Sequence, residues 1–535
     1  MLVPVRDIAQ NGLQLDIPDF DLPANALSDG DNVYVKDGTI RSIEGESYYF
    51  SIANAVSVHN WALGDGDKTI VITKEAVNNK FYVYESPTRN TEVTPAAGVL
   101  AADWHVTQHG EFAIFSADGM APLYLGPTDS ELKPLPGWDA ITDSGQAGGN
   151  KIDAKAGLII SYQNHLVAFR VQLGQNAASQ NVLWSAPLAI DTIATDWNYG
   201  AADSTSGLDI APAELGEVIT AKQIGRSVLI YHTHGLSKMA YMGAPQIYKI
   251  SPIDNDRGIL NSNALASMKN VHFCVDTDKI YAHDGQRALY IADGKIQRWF
   301  SERVGDPELV QVVTIIERDE VLFLFAEVGS SSLTHALIYN QRANAWTKRR
   351  LPSKWDKQGA ELAATVIGAA RIKILPNNAV TYANIGTTHE EETRSYSDLA
   401  RTTVEDSIVF LTSTGDIFRA NYGGAYRSDS NLTPYIIQSA IDLESLYQSS
   451  KPIKSIKALY PQIKGIGELI ITVGGHNSTQ EGVSWGRQQT FVIGRDKKVD
   501  LRGSWRYLSV KIEQPQSGYF WISGWDIDVI LKGGR

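Results

Sequence analysis

Four groups of residues in this 535-residue chain have types and spacings that bear on chemistry. Gly482-Val483-Ser484-Trp485-Gly486 matches the Gly-x-Ser-x-Gly pattern of a nucleophile elbow. An elbow works because a strained strand-to-helix turn lifts the serine above a parallel sheet. Here residues 474–481 are polar and Arg487-Gln488-Gln489 leads into a strand-like run, so Ser484 reads as a loop serine. His232 and His234 alternate at the end of an apolar run, which would place both on one strand face and offer a transition metal two ligands. With no Glu, Asp or Cys beside them, exposed or hydrogen-bonded imidazoles are the simpler reading. His389-Glu390-Glu391-Glu392 lacks the second histidine of a zincin helix. The carboxylate pairs Asp29/Asp31, Asp65/Asp67 and Asp276/Asp278 lack the bidentate Glu of an EF-hand in every frame and read as hairpin-turn acids. No Walker A loop occurs, and no Gly-x-Gly-x-x-Gly follows a strand. Glycoside hydrolysis needs two facing carboxylates, and 60 acids leave that chemistry open. No catalytic, cofactor-binding or metal residue is assigned, and the chain is expected not to be an enzyme.

The elements available to position any site are short strands. Runs at 69–73, 80–84, 111–116, 157–162, 166–171, 227–231, 271–275, 309–316, 320–326, 337–339 and 408–411 are rich in Val, Ile, Tyr and Phe and too brief for helices. Asp-Gly pairs at 37–38, 65–66, 118–119, 284–285 and 293–294 mark reversals, because the pair tolerates positive φ. The best helical candidate, 360–371, carries Thr365, Val366, Ile367 and Gly368 in its middle. The chain therefore reads as all-β.

Strand triplets gather into units of roughly 40–60 residues, the period of propeller blades. Units can be drawn at 55–85, 101–126, 157–185, 217–241, 264–292, 309–346 and 407–419. Neither a WD40 nor an Asp-box signature is present, so the β-propeller-like core rests on rhythm, which a pair of β-sandwiches could imitate. The expected organisation is an extended N-terminal arm (1–50), a β-propeller-like domain (51–430) and a C-terminal antiparallel β-sandwich-like domain (431–535). The arm, with Pro18, Pro23 and few core residues, reads as extended or docked at an edge.

Composition narrows the classes. With 43% hydrophobic and 20% charged residues the chain is expected to fold. No run of eighteen apolar residues exists, and the start lacks the apolar core of a signal peptide. One cysteine, Cys274, in an apolar flank reads as a buried thiol and excludes a disulfide-stapled scaffold. The net charge of −12 is unevenly spread: residues 432–535 carry 13 Lys/Arg against 9 Asp/Glu, and the remainder 35 against 51. Binding DNA through its phosphates requires a basic stripe, and none is visible.

The stretch Ala26-Leu27-Ser28-Asp29-Gly30-Asp31-Asn32-Val33-Tyr34-Val35-Lys36-Asp37-Gly38-Thr39-Ile40-Arg41-Ser42-Ile43-Glu44-Gly45 resembles the opening of the tail nozzle proteins of short-tailed bacteriophages, also called tubular protein B or packaged-DNA stabilisation proteins. Val182-Leu183-Trp184-Ser185 with Asp196-Trp197-Asn198, and residues 217–241 with Arg257-Gly258-Ile259 and Ile280-Tyr281, are similar to its middle segments. Trp505-Arg506-Tyr507-Leu508-Ser509-Val510-Lys511 and Gly524-Trp525-Asp526-Ile527-Asp528-Val529 are similar to its closing strands. Each motif is short, and together they span most of the chain. The resemblance implies a hexameric ring below the portal and adaptor of the virion tail, assembled in the host bacterial cytoplasm. It implies contacts with tail fibres, spikes or a needle, and a channel that retains and then passes double-stranded DNA. It brings no catalytic residues, cofactor or metal. An acidic lumen, and an acidic arm meeting the basic C-terminal region of a ring neighbour, would suit that role. The alternative is a carbohydrate-binding or glycan-hydrolysing β-propeller, for which 12 Trp and 23 Tyr would supply stacking platforms unless they fill blade cores.

Overall fold

The computed structural model describes the chain except residues 147, 176–178, 190–191, 201–203, 245, 375–404, 422–431, 444–451, 517 and 533–535. Strands make up 54% and helix 4%, so the protein is all-β and propeller-like in its repeated four-stranded sheets. The chain divides into two compact units, one of residues 49–259 with 368–417, the other of 1–48, 260–367 and 418–535.

The unit of 49–259 and 368–417 holds four consecutive up-and-down sheets. They run from Ala55–Trp61 to Arg89–Glu92, from His105–His109 to Lys133–Pro134, from Ala154–Tyr162 to Gly207–Ile210, and from Val218–Ile224 to Tyr248–Asp254. A further sheet takes Val366–Ile374, Glu405–Thr412 and Asp416–Arg419 from late in the chain and adds Ser47–Ser51 as its fourth strand. Neighbouring sheets share cores: Ile70 and Phe81 pack with Phe115 and Leu123, and Ile114 joins Ile159 and Leu183. Phe81 meets Phe115 edge to face at 5.5 Å, and Trp138 meets Trp197 at 4.8 Å. Each sheet alternates only weakly because both of its faces are covered.

The other unit contains two more such sheets, from Leu265–Met268 to Ala288–Tyr290 and from Gln311–Ile315 to Ala345–Arg350. Its remaining strands build two six-stranded sheets over one core. The first runs Val33–Lys36, Thr39–Ser42, Tyr519–Lys532, Ile453–Ile466, Val499–Trp505, with Leu2–Arg6 also paired to Tyr519–Lys532. The second runs Asp29–Asp31, Tyr435–Ile441, Tyr507–Glu513, Glu468–His476, Ser484–Trp485, with Gln489–Val492 on Glu468–His476. The first 42 residues and the last hundred, separate in the sequence reading, therefore share both sheets. The arm also carries core residues that its prolines and acids obscure: Leu13, Leu27, Val33 and Ile40 are all fully buried beside Ile522, Trp525 and Ile527.

Several local expectations change. Only Asp37-Gly38 among the Asp-Gly pairs has both residues at positive φ; at the other four only the glycine does. The same double-positive turn closes hairpins at Gln163-Asn164 and Lys269-Asn270, where Asn supplies the tolerance. The Ala-rich 360–371 stretch is extended, within Ala360–Ala363 and Val366–Ile374, because its β-branched centre outweighs its alanines. The short helix Gln297–Ser301 went unforeseen. Cys274 is fully buried. Residues 422–431, which cover most of the expected boundary, lie outside the described residues.

The sandwich core sets the first test. Ile527 faces Val3 on one neighbour and Leu459 on the other and has no exposed surface. Ile527→Ala is expected to lower unfolding stability by about 2–5 kcal/mol, read by denaturant unfolding; a change within error would show that this core does not limit stability.

Candidate functional site

A cluster of charged groups, several of them buried, lies where the N-terminal segment crosses the last strand of the Gln311–Ile315 to Ala345–Arg350 sheet. That strand ends Lys348-Arg349-Arg350, three consecutive cations whose side chains alternate between faces. Asp29 and Asp31, two apart on Asp29–Asp31, alternate with the same period. Lys348 Nζ donates to Asp29 Oδ1 at 2.7 Å, and Arg350 Nε donates to Asp31 Oδ2 at 2.8 Å. Arg349 points the other way, donating to Glu46 through one nitrogen and to Asn421 Oδ1 at 3.0 Å through another. Its side chain is 1% exposed and that of Glu46 7%.

Backbone contacts fix this crossing. Asn32, at φ 56°, donates its N–H to the Lys348 carbonyl at 3.0 Å and accepts from the Arg350 N–H at 3.0 Å through Oδ1. The Leu13 N–H donates to the Trp346 carbonyl at 2.8 Å, and Gly12 must be glycine because a Cβ there would sit 2.4 Å from that oxygen. Further along, Asp16 accepts from the N–H groups of Arg298 and Trp299 at 2.9 and 3.0 Å, covering the start of Gln297–Ser301.

Burial and pairing push these acids apart. For Asp29 burial opposes ionisation, but Lys348 and the Tyr435 hydroxyl, 2.9 Å from Oδ2, together hold it below the ordinary carboxylate range. Asp31 is pushed up to about 6, because burial outweighs Lys348 and the half-exposed Arg350. Glu320, opposite Asn340 and 1% exposed, is pushed up to about 7 by burial despite Arg318, Lys36, Arg349 and Arg41 nearby. Arg318 lies over the Tyr34 ring at 5.1 Å. Asp29, Glu46 and Asp31 each accept from a cation, which neutralises charge and fixes register, whereas Glu320 Oε1 is buried without a hydrogen-bond partner.

The residues singled out by sequence are scattered. Ser484 is exposed on the short strand Ser484–Trp485, paired with Gly475, and makes no strand-to-helix turn. His232 and His234 do not share a face: the strand ends at His232, which is buried with Nε2 2.8 Å from Ser237 Oγ, whereas His234 sits in an exposed bend. Asp65 lies in a turn, and Asp67 pairs with Lys373 at 3.2 Å. Asp276 accepts from the Thr277 N–H at 2.7 Å, and Thr277 and Asp278 form a bend. Asp29 and Asp31 are corrected from hairpin-turn acids to paired strand residues. His389 and the three glutamates after it lie outside the described residues. No group of three metal-ligating side chains occurs among the described residues. The cation cluster at 348–350 was missed; the sequence shows three consecutive cations but not which acids they meet.

Two tests follow from this cluster. Arg349→Met leaves Glu46 buried without its cation and is expected to cost about 3–5 kcal/mol, whereas adding Glu46→Gln recovers part of that loss; additive effects in thermal unfolding would dissociate the two residues. Glu320 and Asp31 hold protons in the folded chain that the unfolded chain, with ordinary values of 4.5 and 3.8, has already released. Their contribution is therefore most favourable below the unfolded values and is lost as pH rises through about 6 to 7. Glu320→Gln is expected to raise stability by on the order of 3 kcal/mol at about pH 8 and to leave it nearly unchanged at about pH 4. An equal effect at both pH values in calorimetry would refute this.

No family model and no curated protein matches the chain. Among solved structures it is similar to the N-terminal domain of Nup159, at 10% identity over 71% of this chain and 94% of that one, with a TM-score of 0.34. It is similar to apo AztD from Citrobacter koseri at 10% identity over 59% and 97%, with a TM-score of 0.31. A glycoside hydrolase aligns at 10% identity over 90% and 99%, with a TM-score of 0.26. Likeness at this level bears on no activity.

Proposed function

We propose that this chain is a structural subunit of a bacteriophage tail nozzle, a ring of six copies below the portal and adaptor that retains packaged DNA and forms its exit channel. The observation that carries the reading is the position of the residues resembling that family. The stretch 26–45 contributes strands to both six-stranded sheets and, through Asp29 and Asp31, joins them to Lys348 and Arg350. A segment used this way serves mechanical continuity, as a conduit subunit requires. The subunit works without catalysis or a cofactor, in the virion tail, against adaptor proteins and fibres, spikes or a needle. Its net charge of −12 lets a duplex pass without phosphate-by-phosphate capture.

The carbohydrate reading draws less support. Eight of the 12 tryptophans are buried, among them Trp61, Trp104, Trp197, Trp346 and Trp525, so most of the stacking surface that sugars would need is spent in cores.

Negative-stain electron microscopy of the purified chain tests the proposal. Six-fold end views with an open centre are expected, and a high-resolution ring should have a net acidic lining. A solved ring with a basic channel lining would overturn the conduit mechanism, and a monomer that is retained on a glycan array would favour the carbohydrate reading.

A further inference from the structure

The first six-stranded sheet has one face over the sandwich core and one facing outward. On the outward face Leu2, Ile466, Trp521 and Ile530 are 54%, 61%, 40% and 44% exposed. The pairing register puts them on one side: Leu2 faces Asp528, Ile466 faces Tyr519, Lys464 faces Trp521 and Ser455 faces Ile530. Paired strands of fourteen residues carrying this much apolar surface outward are unusual for a surface sheet.

The charges on and around that face are one-sided. Its three acids are already neutralised within the chain. Asp526 is held by Arg6 at 2.5 Å, Asp528 by the Met1 amino group at 3.0 Å, and Asp500 by Lys498 at 2.6 Å. Lys457, Lys464, Arg502 and Lys532 are exposed and have no acid partner among the described residues. The surface is thus apolar in part with surplus positive charge.

We infer that this face is the surface by which one copy of the chain docks on the acidic part of another, which rests on the ring reading above. Residues 49–259 carry 21 acids against 13 basic residues and so supply the complementary charge. A contact between two different surfaces is heterologous, and heterologous contacts close into rings when the rotation permits. Interleaved aspartates and exposed aliphatic side chains favour a protein partner over a nucleic acid, which would be met by a continuous basic track.

The experiment compares the full chain with Lys464→Glu/Arg502→Glu and with Ile530→Asp by sedimentation, with circular dichroism to verify folding and electron microscopy to score closed rings. Both variants are expected to fold and to weaken self-association by on the order of tenfold or more, and the association of the parent chain should weaken with added salt. If the parent associates without closed rings while the variants dissociate, the docking surface stands and the ring reading fails. If rings form and the variants assemble equally well, the ring reading stands and this inference is overturned. A parent chain that stays monomeric at all concentrations, or whose face instead retains a duplex oligonucleotide that the charge-reversal variant loses, overturns it as well.

Discussion

The coincidence of two strand periods holds one unit of this protein together. Asp29 and Asp31 repeat every second residue, and so do Lys348 and Arg350; the crossing brings both pairs into contact while Arg349 turns away to Glu46. Buried ion pairs contribute uncertainly to net stability, since desolvation offsets attraction. Their effect on register is clearer. A slip of one residue would put Thr347 where Lys348 belongs and would leave Asp29 without its cation. The charges thus select one alignment among several that apolar packing alone would tolerate.

That alignment has consequences through the sheets. Asp29–Asp31 is a strand of one sheet, Val33–Lys36 and Thr39–Ser42 are strands of the other, and only Asn32 separates the first two. Its left-handed backbone turns the chain from one layer into the next, while its backbone N–H donates to, and its side-chain Oδ1 accepts from, the strand carrying the cations. One asparagine therefore positions three elements.

Much of the architecture was legible in the sequence, and the reasons differ by element. The seven blade-like units drawn from strand rhythm overlap seven four-stranded sheets, because short apolar runs separated by Gly, Asn and Asp turns signal strands locally. Most fourth strands escaped detection: Arg89–Glu92 is wholly exposed and polar, and an exposed edge strand has no apolar period to reveal it. Ser47–Ser51 escaped for another reason, since its partners come from the far end of the chain. The arm was misread as poor in core residues because its buried Leu13, Leu27 and Ile40 are spaced among prolines and acids. The acid pair at 29 and 31 looked like turn chemistry because its cations lie some three hundred residues away. Long-range pairing of this sort leaves no local trace, whereas the absence of an elbow at Ser484 could be read from its polar surroundings.

The sharing of the sandwich by both termini governs when the molecule can finish folding. Leu2–Arg6 waits for Tyr519–Lys532, which is synthesised some five hundred residues after it. At roughly 5–20 residues per second, the opening strands spend about half a minute or longer without their neighbour. The consecutive four-stranded sheets, built from contacts close in sequence, can form during that interval. The outward face of the first six-stranded sheet comes into being only when Tyr519–Lys532 is inserted between Ile453–Ile466 on one side and Leu2–Arg6 and Thr39–Ser42 on the other. A chain cut short before that point keeps its consecutive four-stranded sheets but has no such face.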